Sequence, residues 1–128
     1  MVLLDTCVLL WLVADQEKLS IPSKEAIEKN ADGLFVSSIT AFEVAVKHRS
    51  GKLVLPLPPV DWFTEALEFH GIRELPVTSS IAILSVQLPA LHSDPCDRII
   101  IATAEMNGMR ILTCDKLIAQ YDRARVIW

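Results

Sequence analysis

Short apolar runs alternate with longer segments of helical periodicity along the whole chain. The runs at residues 1–4, 34–36, 74–77, 109–113 and 124–128 predict short strands. Helices are predicted at residues 6–14, 22–30, 41–50, 60–70, 79–88, 94–106 and 116–121. Because strands that alternate with helices pair in parallel, we expect an α/β fold: a central parallel sheet of four to five short strands, flanked by helices on both faces.

Two of the predicted helices carry more detailed signals. Residues 40–43, TAFE, match the capping-box pattern, which predicts a helix that starts near Ala41. Residues 52–59 contain three prolines and predict an extended connection to the next helix. That helix, at residues 60–70, has an apolar side that is predicted to be buried and consists of Trp62, Phe63, Ala66, Leu67 and Phe69.

Length and composition predict a single domain over residues 1–128, because a chain of 128 residues buries one good core. No apolar run approaches the roughly 18 residues that a membrane span needs. The start, MVLLDT, lacks the basic segment of a signal peptide. The three cysteines have no CxxC spacing, which favours free thiols in a reducing compartment. We therefore expect a cytoplasmic protein that does not contact a membrane.

The net charge of −4 neither predicts nor excludes a nucleic-acid partner, because net charge says little about local patches. Basic residues cluster at Lys47, His48, Arg49 and Lys52, and again at Arg123 and Arg125. The simplest interpretation of both clusters is a solvated surface.

Four acidic residues stand where strands end or helices begin, namely Asp5, Glu43, Asp97 and Asp115. Each alone is explained by helix capping or by the helix dipole. Together they are expected to converge, since ligands bind outside the carboxyl ends of parallel strands. Two like charges ~4 Å apart repel by about 4 kcal/mol at an effective dielectric near 20. A divalent cation would offset this repulsion, and carboxylate oxygens favour Mg²⁺ or Mn²⁺ over zinc.

The segments that contain these acids resemble the PIN domain, specifically the VapC-type toxins of toxin–antitoxin pairs. The matching segments are Leu3-Leu4-Asp5-Thr6, residues 38–43, His92-x-Asp94-Pro95-x-Asp97-Arg98 and Thr113-x-Asp115, and the HxDPxDR segment is the most specific. The resemblance covers nearly the whole chain. It implies a three-layer PIN-like fold and an Mg²⁺-dependent endoribonuclease that hydrolyses RNA phosphodiester bonds, with Mn²⁺ able to substitute. It also implies a homodimer and inhibition by a cognate antitoxin.

The resemblance assigns roles to individual residues. It implies that Asp5, Glu43, Asp97 and Asp115 form the catalytic quartet. Asp5, Asp97 and Asp115 are expected to hold the metal, and Glu43 is expected to orient or deprotonate the attacking water. The hydroxyl groups of Thr6 and Thr113 are expected to hold these ligands in place.

Three residues of the HxDPxDR segment outside the predicted quartet have other predicted roles. Arg98 is a candidate RNA contact, although an ion pair with Asp94 is an equal alternative. Asp94 itself is expected to cap a helix, because Pro95 follows it. His92 is a candidate RNA contact, with an ordinary surface histidine as the alternative.

Two other functions fit parts of the same pattern. A phosphatase of the haloacid-dehalogenase type also carries an acid after its first strand, but it needs a second aspartate where this chain has Cys7. The main alternative is a catalytically idle PIN fold that serves as an interaction module. Four acids kept together argue against an idle site.

Overall fold

The computed structural model describes residues 1–128, which form one five-stranded sheet with helices on both faces. The strands are β1 Val2–Leu4, β2 Leu34–Ser37, β3 Arg73–Leu75, β4 Arg110–Leu112 and β5 Val126–Ile127. The helices are α1 Thr6–Ala14, α2 Ile21–Lys29, α3 Ser38–Arg49, α4 Pro59–His70, α5 Ser79–Gln87 and α6 Pro95–Asn107, with short 3₁₀ helices at Gln16–Lys18 and Ile118–Gln120. All strands are parallel, in the order β3-β2-β1-β4-β5. The predicted α/β class is confirmed.

Buried side chains cover both faces of the sheet. Because successive strand residues point to opposite faces, Val2 and Leu4 enter one apolar cluster and Leu3 enters the other. The first cluster contains Trp62 of α4, and the second contains Ile100 of α6. Burial on both faces explains why the strands are continuously apolar rather than alternating. None of the helices is both long enough and apolar enough to span a membrane.

The order of the strands reverses next to β1, at the centre of the sheet. From β1 the chain moves to β2 and β3 on one side and then returns to β4 on the other. Leu4, the last residue of β1, is in register with Leu112, the last residue of β4. Asp5 and Thr113 therefore follow two neighbouring strands at the same edge. A reversal of this kind opens a crevice at the carboxyl ends of a parallel sheet.

The predicted start of α3 is wrong. Ser37 is the N-cap, and its Oγ accepts a hydrogen bond from the Ile39 N–H at 3.1 Å, so the helix begins at Ser38 rather than near Ala41. The capping box at residues 40–43 is consequently not formed. Glu43 lies in the second turn of α3, and its side chain bonds to Thr6 of α1 instead.

Three further predictions need correction. β3 ends at Leu75 instead of residue 77, because Pro76 has no N–H to continue a strand. The helix predicted at residues 116–121 is reduced to the 3₁₀ turn Ile118–Gln120. Phe69, which was predicted to be buried, is 85% exposed.

Candidate metal centre

Hydrogen bonds through two threonines connect three of the acids at the carboxyl edge of the sheet. The Thr6 hydroxyl donates to Glu43 Oε1 at 2.7 Å, and the Thr6 N–H donates to Asp5 Oδ1 at 2.8 Å. The Thr113 hydroxyl donates to Asp5 Oδ2 at 2.6 Å and accepts the Asp115 N–H at 3.0 Å. Each threonine thus joins two acids that are carried by different elements of the fold.

His92 connects the fourth acid to this network. Its Nε2 is hydrogen bonded to Asp115 Oδ2 at 3.1 Å and lies 2.9 Å from Asp97 Oδ2. The imidazole, with 8% of its side chain exposed, stands between two acids that come from separate segments. All four acids predicted from the sequence are therefore joined through the side chains of Thr6, Thr113 and His92.

Local structure holds Asp97 and Asp115 in place at the ends of their segments. Asp94 caps α6, as predicted, because its Oδ1 accepts the N–H groups of Cys96 and Asp97 at 2.8 and 3.3 Å. Asp97 consequently lies in the first turn of α6, where the helix dipole favours a carboxylate. Asp115 Oδ1 accepts the Leu117 N–H at 2.8 Å and closes a local turn.

Burial raises the pKa of the acids nearest the sheet. Asp5 is 4% exposed, and burial raises its pKa above the usual 3.8, partly offset by its hydrogen bonds from Thr113 and Thr6. Burial also raises the pKa of Glu43, while the bond from Thr6 and the charge of Lys47 lower it. Both acids therefore lie in a site that disfavours their negative charge.

Asp97 has the most perturbed carboxyl group of the cluster. Its pKa is raised from 3.8 to about 7, first by burial and then by the charges of Asp5, Asp94 and Glu43, while His92 acts to lower it. Burial and three neighbouring acids therefore both disfavour a negative charge on Asp97.

Lys47 is a cation that faces the acids from α3. It follows Glu43 by four residues, which places both side chains on one side of the helix. Its charge lowers the pKa of Asp5 and of Glu43, yet it forms no ion pair within 4.0 Å. The interpretation of this residue as plain solvated surface is incomplete, because it contributes positive charge next to the cluster.

Arg98 forms hydrogen bonds with backbone carbonyls and the tyrosine hydroxyl instead of pairing with Asp94. Its guanidinium donates to main-chain oxygens of residues 85, 86, 88, 89 and 92 and to the Tyr121 hydroxyl. The alternative ion pair with Asp94 is absent. All five N–H groups of the guanidinium thus have acceptors within the protein, and the contact of Arg98 with RNA stays a prediction.

Burial and the negative charges of the acids raise the pKa of all three free cysteines. Burial and the charge of Asp5 raise the pKa of Cys7 to about 11, and burial and the charge of Glu43 raise the pKa of Cys96 to about 11. Burial and Asp5 also raise the pKa of Cys114. At neutral pH these groups are therefore thiols rather than thiolates, and they are weak nucleophiles.

The residues present fit a hard divalent cation. Four carboxylates supply oxygen ligands and excess negative charge, which is the donor set that Mg²⁺ or Mn²⁺ prefers. The ligand atoms that approach one another most closely belong to His92, Asp97 and Asp115, all within 4.8 Å. The predicted metal set contained Asp5 in place of His92. Each oxygen of Asp5 accepts one hydrogen bond, from Thr6 or from Thr113, and keeps a second lone pair that could bind a cation.

His92 is the residue of the site whose role the sequence did not predict. The sequence predicts a contact for RNA or an ordinary surface histidine, whereas the imidazole is buried against Asp97 and Asp115. The available signal was its position two residues before the helix cap Asp94, which places it at the edge where the acids meet.

Comparison with known proteins identifies the family to which the chain belongs. The PIN domain model matches residues 2–124. The chain belongs to the PIN domain family.

Individual relatives agree with this membership. The chain is 35% identical over 127 residues to Ribonuclease VapC22 of Mycobacterium tuberculosis, covering 98% of this chain and 95% of the relative. Its fold is similar to a chain of a toxin–antitoxin complex from Klebsiella pneumoniae, with a TM-score of 0.69, 22% identity and coverage of 100% and 97% of the two chains. It is also similar to a chain of VapBC2 from Rickettsia felis bound to a promoter DNA fragment, with a TM-score of 0.72, 12% identity and coverage of 98% and 97%. At these identities the two structures support the fold alone.

Proposed function

We propose that the protein is an endoribonuclease that depends on Mg²⁺, with Mn²⁺ able to substitute, and that it is the toxin of a toxin–antitoxin pair. The observation that carries the proposal is the hydrogen-bonded convergence of Asp5, Glu43, Asp97 and Asp115 at the switch point of the sheet. The relative named as a ribonuclease, which aligns over nearly the whole chain, supports RNA as the substrate.

The acids divide into two roles in this proposal. Asp5, Asp97 and Asp115 would hold the cation, which supplies a Lewis acid that activates water and neutralises charge growing on the phosphate. Glu43 is the general base, because only its Oε1 is bonded to Thr6 and its raised pKa suits proton uptake.

The hydrolysis needs one water molecule and no further reactant. The water oxygen forms a bond to phosphorus while the bond from phosphorus to the leaving ribose oxygen breaks. Glu43 takes the proton from the water, and solvent protonates the leaving oxygen. Lys47, which has no ion-pair partner of its own, is placed to bind a phosphate of the substrate.

The proposal also includes an antitoxin partner, a homodimer and a cytoplasmic location. The similar structures are toxin–antitoxin complexes, which supports a protein partner. Exposed apolar side chains offer contact surfaces: Phe42 is 59%, Val60 73%, Phe69 85% and Val86 80% exposed. Phe42 and Val60 line one groove between α3 and α4, and a contiguous apolar patch is the kind of surface that binds other proteins.

An RNA cleavage assay tests the enzymatic part. Wild type should cleave a labelled single-stranded RNA in Mg²⁺ or Mn²⁺, and EDTA should slow cleavage by about 100-fold or more. Asp5→Asn, Glu43→Gln, Asp97→Asn and Asp115→Asn, purified identically, should each lose activity to the same degree. Asp61→Asn is the matched control, because Asp61 is an exposed acid in the first turn of α4, outside the cluster. Near-wild-type cleavage by any three of the four variants would show that the quartet is misassigned.

Expression in a bacterial host tests the toxin part. Wild type should arrest growth when produced alone, and Glu43→Gln should lift the arrest at equal protein level. Normal growth with soluble wild type would contradict the toxin role. An idle interaction module predicts neither cleavage nor arrest, so the two assays also separate the main alternative.

A further inference from the structure

The imidazole of His92 is oriented by contacts at both nitrogen atoms. Nδ1 accepts the Asp94 N–H at 3.2 Å, so the ring hydrogen is carried by Nε2. Nε2 then donates to Asp115 Oδ2 at 3.1 Å and lies 2.9 Å from Asp97 Oδ2. A nitrogen that carries hydrogen has no lone pair for a metal, so this tautomer is a hydrogen-bond donor rather than a ligand.

We propose that His92 is a positioning residue that orients the carboxylates of Asp97 and Asp115 for metal binding; this rests on the proposed metal-dependent function. The Nε2–H group donates to Asp115 Oδ2 and lies close to Asp97 Oδ2, so its positively polarised hydrogen stands beside both carboxylates and partly offsets their repulsion. Oδ1 of Asp97 accepts no hydrogen bond from the protein and stays available to a cation. Hydrogen bonds that orient metal ligands commonly change metal affinity by about 10- to 100-fold.

The backbone of His92 is itself fixed from two directions. Its N–H donates to the Tyr121 hydroxyl at 2.9 Å, and its carbonyl accepts Arg98 Nη1 at 3.1 Å. The Tyr121 hydroxyl donates to the Pro89 carbonyl at 2.8 Å, and Arg98 Nη2 donates to the Leu88 carbonyl at 2.7 Å. Arg98 and Tyr121 thus hold the segment of residues 88–92 that carries the imidazole into the acid cluster.

A pair of amide variants separates positioning from simple packing. Glutamine places its amide nitrogen where Nε2 lies, whereas asparagine reaches only to the position of Nδ1. His92→Asn should therefore raise the Kd for Mn²⁺, measured by EPR of the free ion, by about 10-fold or more, and His92→Gln should stay within about 3-fold of wild type. His48→Asn is the matched control, since His48 makes no hydrogen bond to the acids, and its Kd should be unchanged.

Two further measurements keep the test decisive. Tyr121→Phe keeps the His92 side chain but removes the hydroxyl that accepts the His92 N–H, so the imidazole is held less firmly and Mn²⁺ binding should also weaken. If His92→Asn fails to fold in EDTA, unchanged Mn²⁺ binding by Tyr121→Phe overturns the proposal. Pulsed EPR of the wild type should show no directly coordinated histidine nitrogen, and such a signal would make His92 a ligand instead.

The failure of this proposal differs from failure of the proposed function. A wild type that binds no Mn²⁺ at millimolar concentration would overturn the metal-dependent function and the role of His92 with it. Tight Mn²⁺ binding by the wild type with an equal Kd for His92→Asn would overturn only the positioning role.

Discussion

Replacing Asp97 by asparagine should raise the melting temperature of the metal-free protein at pH 8. The pKa of Asp97 is raised from 3.8 to about 7, first by burial and then by the charges of Asp5, Asp94 and Glu43. Because pH 8 lies above this pKa, Asp97 carries a negative charge there that the fold disfavours. Asparagine has nearly the same shape, keeps a polar atom toward His92 and removes that charge.

The size of the effect follows from the pKa of Asp97. A shift from 3.8 to about 7 corresponds to about 4 kcal/mol, which is an upper bound. Burial is the largest cause, and a buried amide also loses hydration, while 16% of the side chain remains exposed. We therefore expect Asp97→Asn to gain about 1 to 2 kcal/mol in free energy of unfolding. For a chain of this length that is a rise of about 4 to 7 °C.

The stabilisation expected from Asp97→Asn should depend on pH. The folded protein binds a proton at Asp97 more tightly than the unfolded chain, because the folded pKa is about 7 and the ordinary value is 3.8. The free energy of unfolding of the metal-free wild type should therefore fall as pH rises from about 4 to about 7. At pH 5 the folded protein already carries that proton, so the gain from Asp97→Asn should shrink to less than half of its value at pH 8.

Thermal melts in EDTA and in Mn²⁺, at pH 5 and pH 8, measure both effects. Mn²⁺ at ten times its Kd should stabilise the wild type by about 1.4 kcal/mol, or about 5 °C, and should stabilise Asp97→Asn less. Asp61→Asn is the control, since Asp61 occupies the first turn of α4 as Asp97 does that of α6. It should lower the melting temperature slightly through the helix dipole and leave the Mn²⁺ response intact.

The opposite pattern would refute the reasoning. If the acids were ordinary helix caps, Asp97→Asn would lower the melting temperature in EDTA at both pH values, as Asp61→Asn does. The wild type would then show no response to Mn²⁺. Either result would mean that the four acids do not share one electrostatic site.

Three other predictions concern residues around the acids. Thr113→Val should destabilise the protein by about 1 to 3 kcal/mol in thermal melts, because buried Asp5 loses a donor and the Asp115 N–H an acceptor, while Thr113→Ser should restore most of it. Arg98→Lys should lower the melting temperature, because a lysine ammonium cannot donate to all the carbonyls that the planar guanidinium reaches. Reduced RNA cleavage with unchanged stability would instead support a direct contact between Arg98 and RNA. The pKa of Cys7 is raised from 9.0 to about 11, so at pH 8 its reactive thiolate form is about 100-fold less populated than that of an ordinary cysteine. Iodoacetamide should therefore label Cys7 far more slowly in the folded protein than in the urea-unfolded protein, which mass spectrometry can follow.

The acids could be predicted from the sequence because their positions follow from local rules. Asp5 follows an apolar run that can only be a buried strand, and Asp94-Pro95 marks the start of a helix whose first turn must contain Asp97. Parallel topology then brings strand ends to one edge. Local capping was less informative for Glu43, because Ser37 caps α3 and leaves Glu43 free to accept a bond from Thr6, far away in sequence.

Arg98 shows why the rest could not be predicted. The sequence places Asp94 four residues before it, the spacing of a helical ion pair, but the structure turns the guanidinium toward the carbonyls that end α5. The last carbonyls of a helix have no partner within the helix. Which side chain satisfies them depends on how α5 packs beside α6, and that packing is not encoded in any local pattern.

The difference between local rules and packing explains which functional residues can be predicted from the sequence and which are found only in the structure. Three of the four charges of the site come from Asp5, Asp97 and Asp115, which lie at strand and helix ends, where backbone rules fix their positions. Its geometry comes from Thr6, Thr113 and His92, which join acids from different elements. The bond from Thr113 to Asp5 spans 108 residues, and that from His92 to Asp115 spans 23. Because such bonds form only after the sheet and α6 have packed, the residues that carry charge are predictable before the residues that orient them.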